Sequence, residues 1–463
     1  MRSTIKMLAL LIATLLAAGL SAAPAVSEEA PEEAPNERPN ILVIVTDDQR
    51  PGDTVAVMPR TTRRFMGGGT FFPKAIATTP VCCPSRASIF TGRYAHNHNV
   101  RSNAADEADA LDHRTTVQYY LDGAGYHTGL VGKFLNGWDL SEPPPHFDQY
   151  AVTGGGYYNN RFMVGSGGGG KIILSPGYST RFVGRKAEDF IRTSESVDDQ
   201  PWLLFVTPFA PHSPSIPPKR YETAKVPPFQ PTPSMLETDF SDKPPQYLQY
   251  AEPFNRREQG RRRRRQLRAL MPVDDLVNRV FNLLRKQGET NTLAVFMSDN
   301  GYLWGEHGLT AKATPYRYST GIPLMLRWKG HITGGAVDER LAANIDVAPT
   351  LLDAAGIEPT HSVDGRSLLT SWDREALLAE VYGAISRPEL RWASVLSHDY
   401  QYVEYYGGDE TVPTFREYYD LTQDPWQLDN LFGDGDISND PDLTQLTLRL
   451  AQYRTCPLLA PCP

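Results

Sequence analysis

Oxygen-bearing side chains follow two apolar stretches of the sequence, and their chemistry suits a divalent cation. Asp47 and Asp48 come directly after one apolar run, and Asp299 and Asn300 come shortly after another. Carboxylate and amide oxygens are the ligands that hard cations such as Ca²⁺ and Mg²⁺ prefer, and no cluster of His and Cys residues competes for zinc. Aspartates at strand ends also cap the helices that follow them, so the pair by itself leaves both interpretations open.

A second group of reactive side chains lies in the segment from Val81 to Tyr94, which reads VCCPSRASIFTGRY. Two of its residues, Cys82 and Cys83, are adjacent in the chain. A disulfide between neighbouring cysteines is strained and rare, so these thiols need another explanation.

The residues CCPSR at 82–86, followed by TG at 91–92, resemble the Cys-x-Pro-Ser-Arg…Thr-Gly signature of type I sulfatases in the alkaline phosphatase superfamily. In that family a dedicated maturation enzyme reads the signature and converts its first cysteine to formylglycine. The resemblance therefore implies that Cys82 is modified and that Cys83 is a bystander. The hydrated aldehyde carries two hydroxyls on one carbon, one to attack sulfur and one whose deprotonation releases sulfate.

The resemblance extends over most of the chain and implies roles for further residues. The implied metal ligands are Asp47, Asp48, Cys82, Asp299 and Asn300. The implied catalytic residues are Cys82, Arg86, Lys133, His212 and Lys312. The metal would be Ca²⁺, with Mg²⁺ as the alternative. A sulfate monoester is an anion, so the metal and the two lysines would neutralise its charge while the histidine protonates the leaving oxygen.

One position departs from the family pattern. Many sulfatases carry a histidine two residues after the first lysine, whereas the segment 132–136 reads GKFLN and places Leu135 there. This variant, together with the motif around Cys82 and APHSP at 210–214, is similar to N-acetylglucosamine-6-sulfatases and their bacterial relatives. The expected substrate is therefore a sulfated sugar or a glycosaminoglycan-type chain.

Three short apolar runs predict the strands that position these residues: Asn40 to Thr46, Trp202 to Thr207 and Thr292 to Met297. Continuous apolar runs without alternation are typical of parallel strands covered by helices on both faces. Ligands collect at the carboxyl ends of such strands, where the polar residues follow. The predicted fold class is α/β, with a large mixed, mostly parallel sheet between helices, which is the alkaline phosphatase-like arrangement that the resemblance implies.

Other segments predict local structure around that sheet. The spacing of apolar residues predicts a helix from Val273 to Gln287, with Asp274 and Asp275 as helix-dipole partners in its first turn. The glycine-rich stretch 154–171 predicts a mobile surface loop near the site.

The chain is expected to divide into four parts. Basic Arg2 and Lys6, an apolar run too short to span a membrane and then small residues are typical of a secretory signal peptide. After about residue 370, shorter runs favour antiparallel strands in a smaller α+β unit. The predicted parts are a signal peptide (1–25), a flexible acidic leader (26–38), a catalytic domain (39–370) and a C-terminal subdomain (371–463). In an exported chain a disulfide between Cys456 and Cys462 is also expected.

The formal net charge of −8 argues against nucleic acid as a partner, because it leaves no broad cationic surface. No later segment is long and apolar enough to predict a membrane span. The run Arg261 to Arg265 is a local exception that predicts a solvated helix face, or alternatively a contact patch for an anionic substrate or lipid.

These features predict a secreted sulfatase that hydrolyses a sulfate monoester through formylglycine at Cys82 and a divalent metal. Its expected partners are the sulfated substrate and the maturation enzyme. One alternative is a phosphatase or phosphonate monoester hydrolase of the same superfamily, since phosphoryl and sulfuryl groups share their shape. The other is a non-catalytic protein that binds sulfated glycans, if Cys82 stays unmodified.

Overall fold

Ten strands form one mixed sheet in the computed structural model of the chain, which describes residues 38–196, 200–384 and 387–456. The strands are β1 (Asn40–Thr46), β2 (Thr70–Phe71), β3 (His127–Lys133), β4 (Gln149–Thr153), β5 (Arg161–Ser166), β6 (Gly169–Leu174), β7 (Trp202–Thr207), β8 (Thr292–Ser298), β9 (Leu324–Arg327) and β10 (Ala336–Val337). Their order across the sheet is β10-β2-β9-β8-β1-β7-β3-β4-β5-β6. Strands β8, β1, β7, β3 and β4 are parallel to their neighbours within this group.

Helices cover both faces of this sheet. Those in the described residues are α1 (Pro59–Phe65), α2 (Cys82–Thr91), α3 (Ala95–His98), α4 (Val117–Gly123), α5 (Ser179–Glu195), α6 (Pro233–Leu236), α7 (Pro245–Leu248), α8 (Arg256–Gln287), α9 (Arg317–Thr320), α10 (Val347–Ala354) and α11 (Leu443–Thr455). Ile41 and Val43 of β1 pack in the cluster that includes α2, α4 and α10, whereas Leu42 and Ile44 pack in the cluster that includes α5 and α8. Between their polar ends, β1, β7 and β8 are apolar at every position because neither face meets water.

The three predicted strands are confirmed as neighbours at the centre of the sheet. Strand β1 pairs in parallel with β7 on one side and with β8 on the other. Ile41 is the register partner of both Leu203 and Leu293. The carboxyl ends of these strands therefore lie side by side, as a shared site requires.

A second sheet, antiparallel throughout, is built by the C-terminal part of the chain. Its strands, in spatial order, are β11 (Ala376–Ala384), β12 (Arg387–Ser397), β13 (Tyr400–Tyr406) and β14 (Pro413–Asp420). This sheet confirms the antiparallel strands predicted after residue 370. Trp392 and Tyr405 share a hydrophobic cluster with Ile76 and Leu303 from the earlier part of the chain. The domain boundary between residues 370 and 371 stays a prediction.

The predicted start of a helix near Val273 was wrong. Helix α8 begins at Arg256 and continues through Pro272, so Asp274 lies in its second half. One carboxylate oxygen of Asp274 accepts hydrogen bonds from the backbone N–H of Thr61, at 2.7 Å, and from its hydroxyl, at 2.9 Å. Asp274 thus satisfies a free N–H group in the first turn of α1 and does not act on the start of its own helix. Burial of the α8 side chains outweighs the hydrogen bond that Pro272 forgoes.

The glycine-rich stretch also differs from its prediction. Residues 161–166 and 169–174 form the hairpin β5–β6, where a mobile loop was expected. Gly167 and Gly168 take positive φ values of 58° and 80°, the conformation that a two-residue hairpin turn demands and that glycine adopts without strain. Their role is therefore to reverse the chain at the edge of the sheet.

Some predictions concern residues outside the described ranges. The signal peptide at 1–25, the leader at 26–38 except for Arg38, and Cys462 of the expected disulfide all lie there. Among the residues that the structure does describe, no helix has both the length and the apolar character needed to cross a membrane.

A buried ion pair ties the segment just before β11 to the turn just before α10 and yields a stability prediction. The guanidinium of Arg374 donates to both carboxylate oxygens of Asp346, at 2.6 and 2.8 Å, and both side chains are at most 3% exposed. Removing one partner leaves the other charge buried and unpaired. Arg374→Met is expected to lower the free energy of unfolding by about 3 kcal/mol in denaturant titration. Arg114→Met, which breaks the exposed pair with Asp112, is the matched control and should change stability little.

Candidate active site

The predicted site residues meet at the carboxyl ends of four parallel strands. Asp47 follows β1, Lys133 ends β3 and His212 follows β7 by five residues. Asp299 follows β8 directly. The order of the strands across the sheet brings together residues that are up to 252 positions apart in the chain, as between Asp47 and Asp299.

Helix α2 presents Cys82 and Arg86 to this edge of the sheet. The two residues are four positions apart, so they lie on the same face of the helix, and Cys82 occupies its first turn. The Sγ atom of Cys82 lies 3.4 Å from Oδ1 of Asp47 and 2.7 Å from Nζ of Lys312. The thiol therefore faces a carboxylate on one side and an ammonium group on the other.

Three carboxylates are buried together beside Cys82. Asp47, Asp48 and Asp299 are each at most 2% exposed. The backbone N–H of Asp48 donates to Oδ1 of Asp299 at 3.1 Å, and the Asn300 amide donates to Oδ1 of Asp48 at 2.7 Å. Asp48 has a φ of 70°, a left-handed conformation that Asp tolerates better than most residues and that often marks a functional site.

Each carboxylate has its own cationic partner. Lys133 Nζ lies 2.8 Å from Oδ2 of Asp47, Lys312 contacts Oδ1 of Asp48, and Arg86 Nε lies 2.9 Å from Oδ2 of Asp299. Lys133 and Arg86 are each 2% exposed and Lys312 is 15% exposed. Burying these charges is tolerable because each is paired at hydrogen-bonding distance.

These ion pairs do not compensate all of the negative charge on the three carboxylates. Burial favours the neutral form of Asp47, but Lys133, His212 and Arg86 outweigh it and hold the pKa of that carboxyl far below its usual range. For Asp299, burial and the negative charge of Asp47 outweigh the nearby cations and raise the pKa to about 6. A bound cation would relieve this repulsion, because it favours the ionised form of every carboxylate that faces it.

The donor set fits a hard divalent cation. One ligand atom from each of Asp47, Asp48, Cys82 and His212 lies within 4.8 Å of the others. The carboxylate oxygens and the Asn300 amide oxygen are the ligand types that Ca²⁺ and Mg²⁺ take, and an oxygen on a modified Cys82 would extend the set. Of the predicted metal ligands, the structure brings all five to this cluster.

His212 approaches the cluster from its more exposed side. The hydroxyl of Tyr157 donates to the His212 carbonyl at 2.6 Å, and Nδ1 of the imidazole bonds to the Ser213 carbonyl at 2.6 Å. Its Nε2 lies 3.7 Å from Oδ2 of Asp48, and the side chain is 29% exposed. Burial opposes the charged imidazolium, but the carboxylates of Asp48 and Asp47 outweigh burial and raise the pKa of His212 to about 9.

Cys83 points away from the cluster into the hydrophobic layer beneath α2. Its Sγ lies 3.6 Å from the carbonyl oxygen of Asn136, and burial raises the pKa of this thiol to about 12. Leu135 is buried in the same hydrophobic layer. Leu135 therefore offers no polar contact to Cys82.

Two supporting residues were missed by sequence analysis. Ser85 donates its hydroxyl to the backbone carbonyl of Asp299 and accepts from the Asn344 amide at 2.9 Å. Its place inside the 82–86 motif was a signal that could have marked it. Tyr157, which orients the His212 backbone, comes from a separate segment and had no such signal.

Two family models match the chain. The model described as "Sulfatase" matches residues 39–357, and the model described as "N-sulphoglucosamine sulphohydrolase, C-terminal" matches residues 305–455. The first match includes every predicted site residue.

Two curated relatives show how far the sequence similarity extends. The extracellular sulfatase SULF-1 homolog of Drosophila melanogaster is 32% identical over 349 residues, which cover 71% of this chain and 31% of the fly protein. The chain thus spans about a third of the length of that relative. The N-acetylglucosamine-6-sulfatase of Homo sapiens is 28% identical over 480 residues, which cover 90% of this chain and 84% of the human protein.

Solved structures share the fold. A protein solved in complex with its substrate D-glucosamine-2-N,6-O-disulfate has a TM-score of 0.74 and 23% identity, covering 90% of this chain and 98% of its own. A phosphonate monoester hydrolase of Agrobacterium radiobacter has a TM-score of 0.68 and 21% identity, covering 90% and 96%. Both comparisons confirm the predicted α/β architecture.

Metal binding at this cluster predicts a measurable gain in stability. Ca²⁺ or Mg²⁺ added to metal-free protein should raise the Tm, since an ion at about 100 times its Kd stabilises the folded state by about 2.7 kcal/mol. Asp48→Asn or Asp299→Asn should abolish most of the metal-induced rise in Tm. Asp189→Asn, which changes an exposed carboxylate on α5, is the control and should retain it. A wild-type Tm that responds to neither ion would contradict a metal site.

Proposed function

Because the chain belongs to the sulfatase family of the alkaline phosphatase superfamily, we propose that it is a sulfuric ester hydrolase whose reaction centre is Cys82. The observation that carries this proposal is the position of the thiol. Cys82 lies between Asp47 and Lys312, inside a cluster in which three buried carboxylates each have a cationic partner. Its neighbour Cys83 lies in a hydrophobic layer.

Two groups would complete this site, and the described residues fit both. Formylglycine at position 82 would supply a hydrated aldehyde, a stronger nucleophile than water. A divalent metal, Ca²⁺ or alternatively Mg²⁺, would be held by the oxygens of Asp47, Asp48, Asp299 and Asn300 and would lower the charge that a sulfate ester meets. The maturation enzyme that reads the segment 82–86 is the partner that this proposal requires.

The two lysines bind the sulfate group of the substrate. Nζ of Lys312 lies 2.7 Å from Sγ of Cys82, and Nζ of Lys133 lies 2.8 Å from Asp47, which also contacts that Sγ. Fixed cations at the site of charge development stabilise the transition state more than mobile water does. The guanidinium of Arg86 donates a hydrogen bond from Nε to Asp299. Its buried Nη2 atom has no hydrogen-bond partner among the described residues. That free donor is available to the oxygen of a modified Cys82.

His212 donates the proton that the leaving oxygen needs. Its Nδ1 is engaged by the Ser213 carbonyl, so the proton to be transferred is the one on Nε2, which faces Asp48. The neighbouring carboxylates raise the pKa of the imidazole, which favours the protonated form that a proton donor needs. Its partial exposure places the donor on the side from which a substrate enters.

The proposed substrate is a sulfated sugar or a glycosaminoglycan-type chain. It is supported by the segments GKFLN at 132–136 and APHSP at 210–214. It is also supported by the similarity to the human N-acetylglucosamine-6-sulfatase and to the protein solved with D-glucosamine-2-N,6-O-disulfate. We further propose that the protein is secreted, with residues 1–25 as its signal peptide; the fly relative is described as extracellular.

The function is tested by the mass of the tryptic peptide from Ala75 to Arg86, taken from protein made by a host that converts such motifs. We expect Cys82 to carry an aldehyde in place of its thiol and Cys83 to be unmodified. Cys82→Ala should lower kcat for an aryl sulfate by at least about a thousandfold, because the covalent route is lost. Cys83→Ala is the control and should keep activity within about tenfold, since it only trims the hydrophobic layer. Equal losses in both variants would contradict the assignment of the nucleophile.

A phosphonate or phosphate ester hydrolase is the second candidate, favoured by the structural similarity to a phosphonate monoester hydrolase. Paired assays on an aryl sulfate and the matching aryl phosphonate and phosphate separate the two. We expect kcat/KM for the sulfate to be highest by at least about tenfold, or about 1.4 kcal/mol of transition-state stabilisation. A higher kcat/KM for either phosphorus ester would replace the proposed sulfatase with a phosphonate or phosphate ester hydrolase.

Binding of sulfated glycan without any turnover, with Cys82 unmodified, would indicate a non-catalytic binding protein.

A further inference from the structure

Helix α8 carries a row of arginines along one face, which we call the arginine face. At about 100° per residue, positions 257, 261, 264, 265 and 268 fall within an arc of about 100°. The residues at these positions are Arg257, Arg261, Arg264, Arg265 and Arg268. The first four are exposed and Arg268 is half-buried. Their Cα atoms span about 16 Å along the helix axis.

Most of this positive charge has no internal partner. In the described part of the chain, no carboxylate lies within 4.0 Å of the guanidinium of Arg257, Arg261, Arg264 or Arg265. Arg263, on the opposite face, is 2% exposed and bonds to Asp53. The prediction of a solvated helix face for the run Arg261 to Arg265 therefore holds for some of its residues, whereas Arg263 stabilises the fold. A local concentration of unpaired cations is notable in a chain whose net charge is −8.

The inner face of the same half of α8 packs against the active-site loop. The Trp304 indole donates to the Gln266 side chain at 2.5 Å, and Gly305 lies against Gln259. This loop connects Asn300 to Lys312. The arginine face is thus the outer side of the element that supports the site.

A cationic groove continues the arginine face along α8. The groove has a volume of about 930 Å³ and lies between α5, the second half of α8 and residues 218–220. Its cationic lining residues are Arg60, Arg181, Arg185, Lys219, Arg220 and Arg279. Asp275 is the acidic residue in the lining and pairs with Arg60 and Arg220. In the described residues Arg181, Arg185 and Lys219 form no ion pair, so the groove stays net positive.

We propose that the arginine face and this groove bind a sulfated polysaccharide, one of whose sulfate esters enters the site at Cys82. The inference rests on the proposed function and makes its substrate a polyanionic chain instead of a small sulfate ester. Guanidinium groups bind sulfate and carboxylate oxygens through paired N–H donors, and an extended row of them matches a chain with repeated anionic groups. The face has no apolar side chain to anchor a membrane and no aromatic ring to stack on nucleic-acid bases.

The test compares two variants that each remove three exposed positive charges. The face variant is Arg261→Gln, Arg264→Gln and Arg265→Gln. The control variant is Arg38→Gln, Arg285→Gln and Lys329→Gln, whose residues are exposed and lie outside both the face and the groove. Two quantities are measured, the salt concentration that elutes each protein from immobilised heparin and the Ki of heparin against aryl sulfate hydrolysis. The Tm of each variant verifies that the fold is intact.

We expect the face variant to elute at lower salt and its Ki to rise about tenfold, since each exposed ionic contact contributes a factor of about two to three. Its kcat/KM for the aryl sulfate should stay within about twofold of wild type, and the control variant should match wild type throughout. Equal shifts in both variants would overturn the proposal, because they would show non-specific attraction. A lower elution salt with an unchanged Ki would overturn the link to the active site.

Two further outcomes keep this inference separate from the proposed function. Tighter, face-dependent binding to phosphatidylserine vesicles than to heparin would replace the polysaccharide with a lipid surface. A wild-type protein with modified Cys82 that hydrolyses no aryl sulfate would refute the proposed function. The elution experiment would still test the face in that case, because it involves no turnover.

Discussion

Three carboxylates buried next to one another are the constraint on which the rest of this structure depends. Asp47, Asp48 and Asp299 repel each other in a region that water does not reach. Such a cluster persists only if cations are held against it at short range. Lys133, Lys312 and Arg86 meet that requirement, and each comes from a different segment of the fold.

Apolar packing of the central sheet offsets the free-energy cost of burying these charges. Strands β8, β1, β7 and β3 are parallel neighbours, and their apolar residues pack against helices on both faces. The contacts that hold these strands to the helices are apolar and separate from the charged cluster. The same parallel arrangement leaves the strand ends open to solvent on one side, where His212 is partly exposed and a substrate has access.

Helix α8 links the chemistry of the site to a larger surface. Its inner face holds the loop that carries Trp304 and leads to Lys312, and its outer face carries unpaired arginines. A polyanion on that outer face would be close to the site without contacting the buried carboxylates. The negative potential of these carboxylates repels an anion until nearby cations neutralise the charge of that anion. In this arrangement the arginines attract the anionic substrate at long range, and the cations of the site neutralise its charge at short range. An anionic substrate can thus reach a site that is rich in carboxylates.

The sequence by itself determined the central strands, the C-terminal antiparallel sheet and the identity of the residues that meet at the site. Apolar runs such as 40–46 are local signals of burial on both faces, and the residues at 82–86 form a contiguous motif, so neither needed long-range information. Only the tertiary structure decided which cation pairs with which carboxylate and that α8 begins at Arg256. Those outcomes depend on distances between segments far apart in the chain. A proline is a local signal for the end of a helix, but at Pro272 the burial of neighbouring side chains outweighs that signal. The residue pattern of one segment does not reveal which of these two effects is larger.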